Sequence, residues 1–504
     1  MPDFSKAVGL QLVWLKRDLR IDDHAPLAKA ARSGPCVCLY VYEPELLAHP
    51  TTDASHLAFI AESLRELEAA LTRIGGRLIT RTGNLPEVFD RLHQAHPIAR
   101  IWSHEETGLG ITYARDRRVK AWARQQGVDW IELPNHGVFR PHPQRDGWAV
   151  RWRRRMLEPI RSAPEHIVGV EGLASDGILS PRQLGLGPSQ RPEAAPGGVE
   201  AARSVLTSFL DARSRGYQGD ISSPVTAWNS SSRLSPYLAW GNLSVRQVYQ
   251  AARARIDVLR SGDANADPTW ARSLESFAKR LHWHCHFIQK LEDQPDIEHL
   301  NMSRACDGLR DERPDESLLG PWRDGRTGYP MVDACMRALH AGGWINFRMR
   351  AMLMSFASYH LWQDWREPAL HLARLFLDFE PGIHFPQAQM QSGTTGINAV
   401  RIYSPVKQVR DHDPEGRFIR RWCPELSEVP DSYLPRPETM PLTVQRQARC
   451  LIGRDYPAPI VDNGRAYFTA RRRMQALRAS GPSRSEAADI YRRHGSRKRG
   501  RAAR

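Results

Sequence analysis

The chain has 504 residues, with 71 Lys plus Arg against 56 Asp plus Glu, a formal charge of +15 and seven cysteines. That length exceeds one ordinary hydrophobic core and calls for two or three domains. The cysteines form no CxxC pair and no zinc-ribbon spacing, which excludes a disulfide scaffold and favours a reducing compartment, while the charge favours an anionic polymer as partner.

In chain order, the opening residues lack the apolar core of a secretion signal, and no later segment offers a long uncharged span. A soluble cytoplasmic protein with no membrane contact is expected. Residues 10–135 alternate short β-type runs (LQLVWL, CVCLYVY, RLITR, ARIWSHE, DWIEL) with helical patterns such as HLAFIAESLRELEAALTRIG. This predicts an α/β domain over 8–140 with a doubly wound parallel sheet. No GxGxxG follows the first strand, so the usual dinucleotide loop is absent. The stretch of roughly 160–200, rich in Pro, Gly and Ser and without periodicity, places an interdomain linker over 141–202. From 203 to 474 long amphipathic patterns rich in Arg, Trp and His predict an all-α domain. Residues 475–504, ending in RKRGRAAR, predict a basic, disordered tail.

P-loop, nucleophile-elbow and HExxH motifs are missing, so attention falls on three stretches of the helical domain. NSSSRLSPYLAWGNLS (229–244) reads as a helix start where hydroxyls and free N–H groups cap the helix or hold a phosphate. RLHWHCHFIQKL (280–291) sets His282 and His286 four apart, but no carboxylate or cysteine completes a metal site, so no metal is expected. GWINFRMRAMLMSF (343–356) sets Arg348 and Arg350 in an apolar stretch, and each needs an anion to offset the loss of water.

With WRDGRTGYPMVDACMR (322–337), GWINFRMR, DWRE, RIYSP, DPEGRFIRRWCPEL and the opening LVWLKRDLRIDDHAPL, the chain resembles the photolyase/cryptochrome family of flavoproteins from Leu12 to about Leu426. The resemblance implies an antenna-type α/β domain, with folate, deazaflavin or lumazine as possible chromophores, followed by a helical domain holding FAD. It implies a monomer that acts on UV-damaged DNA, a carbon–carbon lyase that splits cyclobutane pyrimidine dimers by blue-light-driven electron transfer from reduced FAD. The alternative it allows is a cryptochrome-like photoreceptor that binds FAD without repair.

By the same resemblance, Ser231, Ser232, Leu234 and Ser235, with Tyr217 upstream, face the FAD phosphates. Arg350 lies beside the flavin ring and pairs with Asp378, and Asn346 and Glu380 belong to the cofactor site. Trp283, His284, Arg348 and Trp344 form the catalytic lesion pocket, where an extruded dimer stacks on Trp283. Arg280 stands where the family has glutamate, His284 replaces an arginine, Phe347 an asparagine and Ala351 a methionine. This rebuilt pocket implies a single-stranded substrate or a different photoproduct. Trp365 matches the middle member of the family's electron-transfer tryptophans, while Ala388 or Met390 replaces the member nearest the flavin. Electrons then come through Trp362, Tyr359 or Trp344, or from a chemical reductant, and His384 or Asn398 faces flavin N5. Cys423 and Cys450 are too few for an iron–sulfur cluster.

Overall fold

A computed structural model describes residues 9–140, 145–261 and 267–496. Strands β1 (Leu10–Leu15), β2 (Cys36–Tyr42), β3 (Leu78–Thr82), β4 (Ile98–His104) and β5 (Asp129–Leu133) form one parallel sheet in the order β3-β2-β1-β4-β5. Every residue of β1 is buried, as a central strand covered on both faces requires. Its alternate residues feed two cores: Leu10, Leu12 and Trp14 pack with Phe89 on one side, Val13 and Leu15 with Leu64 and Leu67 on the other.

The strand order reverses between β1 and β4, and at their carboxyl ends Asp18 accepts hydrogen bonds from His24 Nε2 (3.0 Å) and His104 Nδ1 (2.7 Å). All three side chains are buried, and they form a three-ligand cluster of metal-binding type. Yet His24 Nδ1 accepts the Leu27 N–H, capping the Ala25–Ser33 helix, so Nε2 carries the ring proton and offers no lone pair to a cation. Burial, reinforced by the neighbouring His24, pushes His104 down to about 3 and keeps it neutral. Asp18 stays ionised because both imidazoles outweigh the burial that opposes its charge.

The stretch between the domains is more ordered than its composition implies. Trp148–Met156 is a helix whose Trp148, Trp152 and Met156 are buried one turn apart, a spacing that its four arginines hide in the sequence. The segment beyond lies along the sheet domain: Asp23 N bonds Arg161 O (2.6 Å), Ile167 N bonds Ile74 O (2.7 Å), Cys36 N bonds Val168 O (2.8 Å) and Asp176 N bonds Thr80 O (3.0 Å).

The second domain is helical. Its long Pro268–Asp293 helix runs beside the Pro381–Ser392 helix, and the core gathers Trp322, Met352, Phe356, Trp365 and Phe385. The expected disordered tail is corrected through residue 494. Asn463–Ala479 and Gly481–His494 are helices that bury Ala470, Met474, Ile490 and His494. Glu486 accepts from Ser303 Oγ (2.7 Å), Arg304 N (2.8 Å) and Ala305 N (3.1 Å). Counting charge misses this because the arginines occupy the outer face while a few anchors dock the inner one. RKRGRAAR itself begins at residue 497 and lies outside the described residues.

Candidate cofactor and DNA site

The serine turn is shaped by an arginine that no motif announces. Arg213 donates to the carbonyl oxygens of Ser231, Ser232 (3.4 Å) and Val205 (2.8 Å), and its Nε donates to Ser208 Oγ (3.1 Å). Arg233 follows in the left-handed region at φ 55°, and Ser235 opens a five-residue helix that includes Pro236. Ser232 Oγ accepts the Leu234 N–H (3.4 Å), and Leu234 is buried. Burial and the nearby Arg233 push Arg213 down to about 10, and burial also lowers Arg233. Among the described residues neither arginine has a carboxylate within salt-bridge distance. Ser231 Oγ, Arg233 Nε and Tyr237 OH are buried with no hydrogen-bond partner. Such groups are costly unless something else satisfies them. Tyr217 lies instead in an aromatic pocket between Phe209 and Phe277, and its hydroxyl is pushed up to about 12 by burial, with Arg280 beside it.

A second wall comes from the Phe347–Ser355 helix. Arg350 grips Asp378 in a bidentate pair, 2.8 Å on each arm, while its Nε donates to Ile345 O (2.8 Å) and its guanidinium lies 4.2 Å from the Phe376 ring. Asn346 donates to Ile221 O (2.9 Å) and Arg348 to Ser222 Oγ (3.3 Å), which ties this wall to the segment that follows Tyr217. Asn346 Oδ1 and Arg348 Nε are again buried without partners. Trp344 meets Trp228 edge-to-face at 5.4 Å, and the Arg233 guanidinium lies 4.7 Å from the Trp228 ring. His384 stands near the Arg350–Asp378 charges, donates from Nε2 to Ala369 O (2.8 Å), and is pushed down to about 4 by burial. Asn398 belongs elsewhere, accepting from Thr395 and bonded through its carbonyl to Arg478 of the Asn463–Ala479 helix.

Glu380 caps the Pro381–Ser392 helix; burial raises its carboxyl while Arg17 opposes the shift. Trp283 is half-buried against His286 (5.1 Å) and Phe287 (5.8 Å). His284 turns to His136 of the sheet domain (6.2 Å), and burial pushes it down to about 4. His282 packs between Trp148 and Trp152, and His286 bonds Arg145. The histidines of this helix are thus packed separately rather than gathered as ligands. Trp365 is fully buried, donates to Asn301 Oδ1 (2.8 Å) and lies 6.4 Å from Phe385. Trp362, at φ 54°, is held between Arg310 (4.6 Å) and Arg473 (4.7 Å). Ala351 and Ala388 are buried, while Phe347 is exposed.

The TGYPMVDA stretch proves structural. Asp333 is fully buried and accepts from Thr327 N (2.7 Å), Thr327 Oγ1 (2.6 Å), Gly328 N (3.1 Å) and Tyr456 OH (2.6 Å).

An all-parallel sheet domain is joined to a helical domain whose wall of unsatisfied donors and acceptors is of the kind that holds a polar ligand. Residues 277–476 match the FAD binding domain of DNA photolyase, and residues 11–147 match the DNA photolyase domain. The chain is 30% identical to a deoxyribodipyrimidine photo-lyase of Streptomyces griseus over 92% of this chain and 99% of that one. It is 27% identical to a (6-4)DNA photolyase of Oryza sativa subsp. japonica over 93% and 90% of the two chains. Its fold matches a class III photolyase from Agrobacterium tumefaciens with a TM-score of 0.83 at 24% identity, covering 94% and 99%. The chain belongs to the photolyase/cryptochrome family of FAD-binding proteins. The partnerless atoms fit FAD: Arg233 offers an N–H donor to phosphate, Asn346 offers an acceptor, and the hydroxyls of Ser231 and Tyr237 can do either. Sequence reasoning missed Arg213 and Trp228, since neither stands in a motif and only the folded turn gives them a role.

Proposed function

We propose that this protein is a monomeric, light-driven DNA repair enzyme that splits cyclobutane pyrimidine dimers, with single-stranded DNA the favoured substrate. The observation that supports it most is the Arg350–Asp378 pair, fixed in a wall of partnerless polar atoms. Reduced FAD, when bound, supplies the photoexcited electron that cleaves the dimer and takes it back afterwards. Asp378 and Ile345 O orient Arg350 in advance, so negative charge placed at this wall costs no reorganisation. His384 stays neutral at pH 7 and adds no competing charge. Trp283 offers a half-buried face to an extruded pyrimidine, and Arg348 a donor to the backbone. Trp365 is the internal electron donor of this reading. Trp362 serves it poorly, because the two guanidinium groups beside its ring oppose a positive hole.

No helix among the described residues is long and apolar enough to cross a membrane. The α/β domain takes an antenna chromophore in this reading, and absorbance of the pigments extracted from purified protein identifies it. The test of function is to reduce the protein fully, add UV-damaged single-stranded and duplex oligonucleotides, and follow dimer loss by chromatography against a dark control. Loss in light alone, faster on the single strand, is expected. Bound, reduced flavin with no loss on either substrate sinks the proposal and leaves the photoreceptor.

A further inference from the structure

Two large aromatic side chains stand exposed next to this wall, Trp228 at 44% and Phe347 at 49%. Neither position is explained by the packing of the core. Trp228 is nonetheless held in place: the Trp344 ring meets it edge-to-face, and the Arg233 guanidinium lies beside it. Phe347 follows Trp344 by three residues, as the first residue of the helix that carries Arg348. Single exposed apolar side chains are common on protein surfaces, and what sets this pair apart is its place beside the wall and the charge around it.

The surrounding charge says what they meet. Arg233 and Arg348 have no carboxylate within salt-bridge distance among the described residues, and Asp220 is engaged by Ser230 Oγ (2.6 Å). Arg348 also bears on His412, whose imidazole is lowered from its ordinary range by burial and by that arginine. Aromatic faces interleaved with unpaired guanidinium groups suit unpaired nucleobases on a phosphate backbone. A duplex offers no free base faces to such a surface.

We propose that Trp228 and Phe347 form a stacking platform for unpaired bases next to the lesion, with Arg348 taking a backbone phosphate. The platform rests on the repair reading and gives its strand preference a physical source. Trp228 sets the specificity without touching the reacting bonds.

The experiment uses the flavin-loaded full chain in the dark. Fluorescence anisotropy follows binding of undamaged, labelled oligothymidylate of about 15 nucleotides and of the matching duplex. Trp228→Ala and Phe347→Ala are each expected to weaken single-strand binding roughly tenfold and to leave duplex binding within about twofold. Trp228→Phe, which keeps a ring and so controls for misfolding, is expected to retain most of the affinity. Unchanged single-strand binding in Trp228→Ala overturns the proposal, as does equal loss on both substrates. Release of flavin with no change in oligonucleotide binding also overturns it, since Trp228 would then be covering the cofactor. Light-driven dimer loss, measured separately on the wild type, keeps the two ideas apart: its absence alongside Trp228-dependent binding removes repair and leaves the platform standing.

Discussion

The Asp333 latch and the wall of Ser231, Asn346 and Arg348 both lie in stretches that carry the family resemblance, and they are opposites. Asp333 has every hydrogen bond it can use, four of them inside the chain. The wall holds buried polar atoms that nothing in the chain satisfies. Saturated polar groups build a fold, whereas a buried group left unsatisfied calls for a partner outside the chain, a ligand or an ordered water.

Four substitutions break or sharpen this contrast. Asp333→Ala leaves two buried N–H groups and two hydroxyls unpaired, and an expected cost of roughly 3–4 kcal/mol should appear as a large loss of thermal stability with or without flavin. Arg350→Ala leaves Asp378 buried without its partner, at about 3 kcal/mol. Flavin retention should fall as well, so a variant of normal melting temperature and full flavin content would count against the assigned role.

Lys290 asks whether unsatisfied charge always signals binding. It is buried with no carboxylate within salt-bridge distance among the described residues, and burial, reinforced by Arg145, pushes it from 10.5 down to about 7. Between those values the unfolded chain holds the proton that the folded chain has lost, so stability rises with pH across the window. Lys290→Met should flatten that rise and gain roughly 2 kcal/mol at pH 7, read from urea melts at several pH values. On the acid side, His360 and His384, both pushed to about 4 by burial, make stability fall as pH drops from 6.5 to 4. The smallest expected effect is Ser231→Ala. It removes a hydroxyl without a partner, so stability should move by less than about 0.5 kcal/mol while FAD is lost more readily in dialysis.

The strands were legible because β1 and its neighbours are buried on both faces and their apolar runs are short and bounded. The helix beyond residue 474 was not, since Ile490 and His494 are two anchors among many arginines. Arg350 and Asp378 were found through motif resemblance, and the fold brings them together across 28 residues. His284 shows the limit of that method: one position from Trp283 on a helix is enough to turn it toward His136 in the other domain. Arg213 acts through scattered carbonyl oxygens and the Ser208 hydroxyl, which leaves no pattern in a sequence.

The irregular segment between the domains has one more consequence. Backbone bonds from Arg161, Ile167, Val168 and Asp176 stitch it along the sheet domain, and Arg191 continues the seam, bonding Ser55 Oγ (2.8 Å) on one side and the carbonyls of Leu339 (3.2 Å) and Arg374 (2.9 Å) on the other. A seam tied at so many points works as a ruler. It holds the two halves at a constant separation and mutual angle, whatever the surface loops are doing.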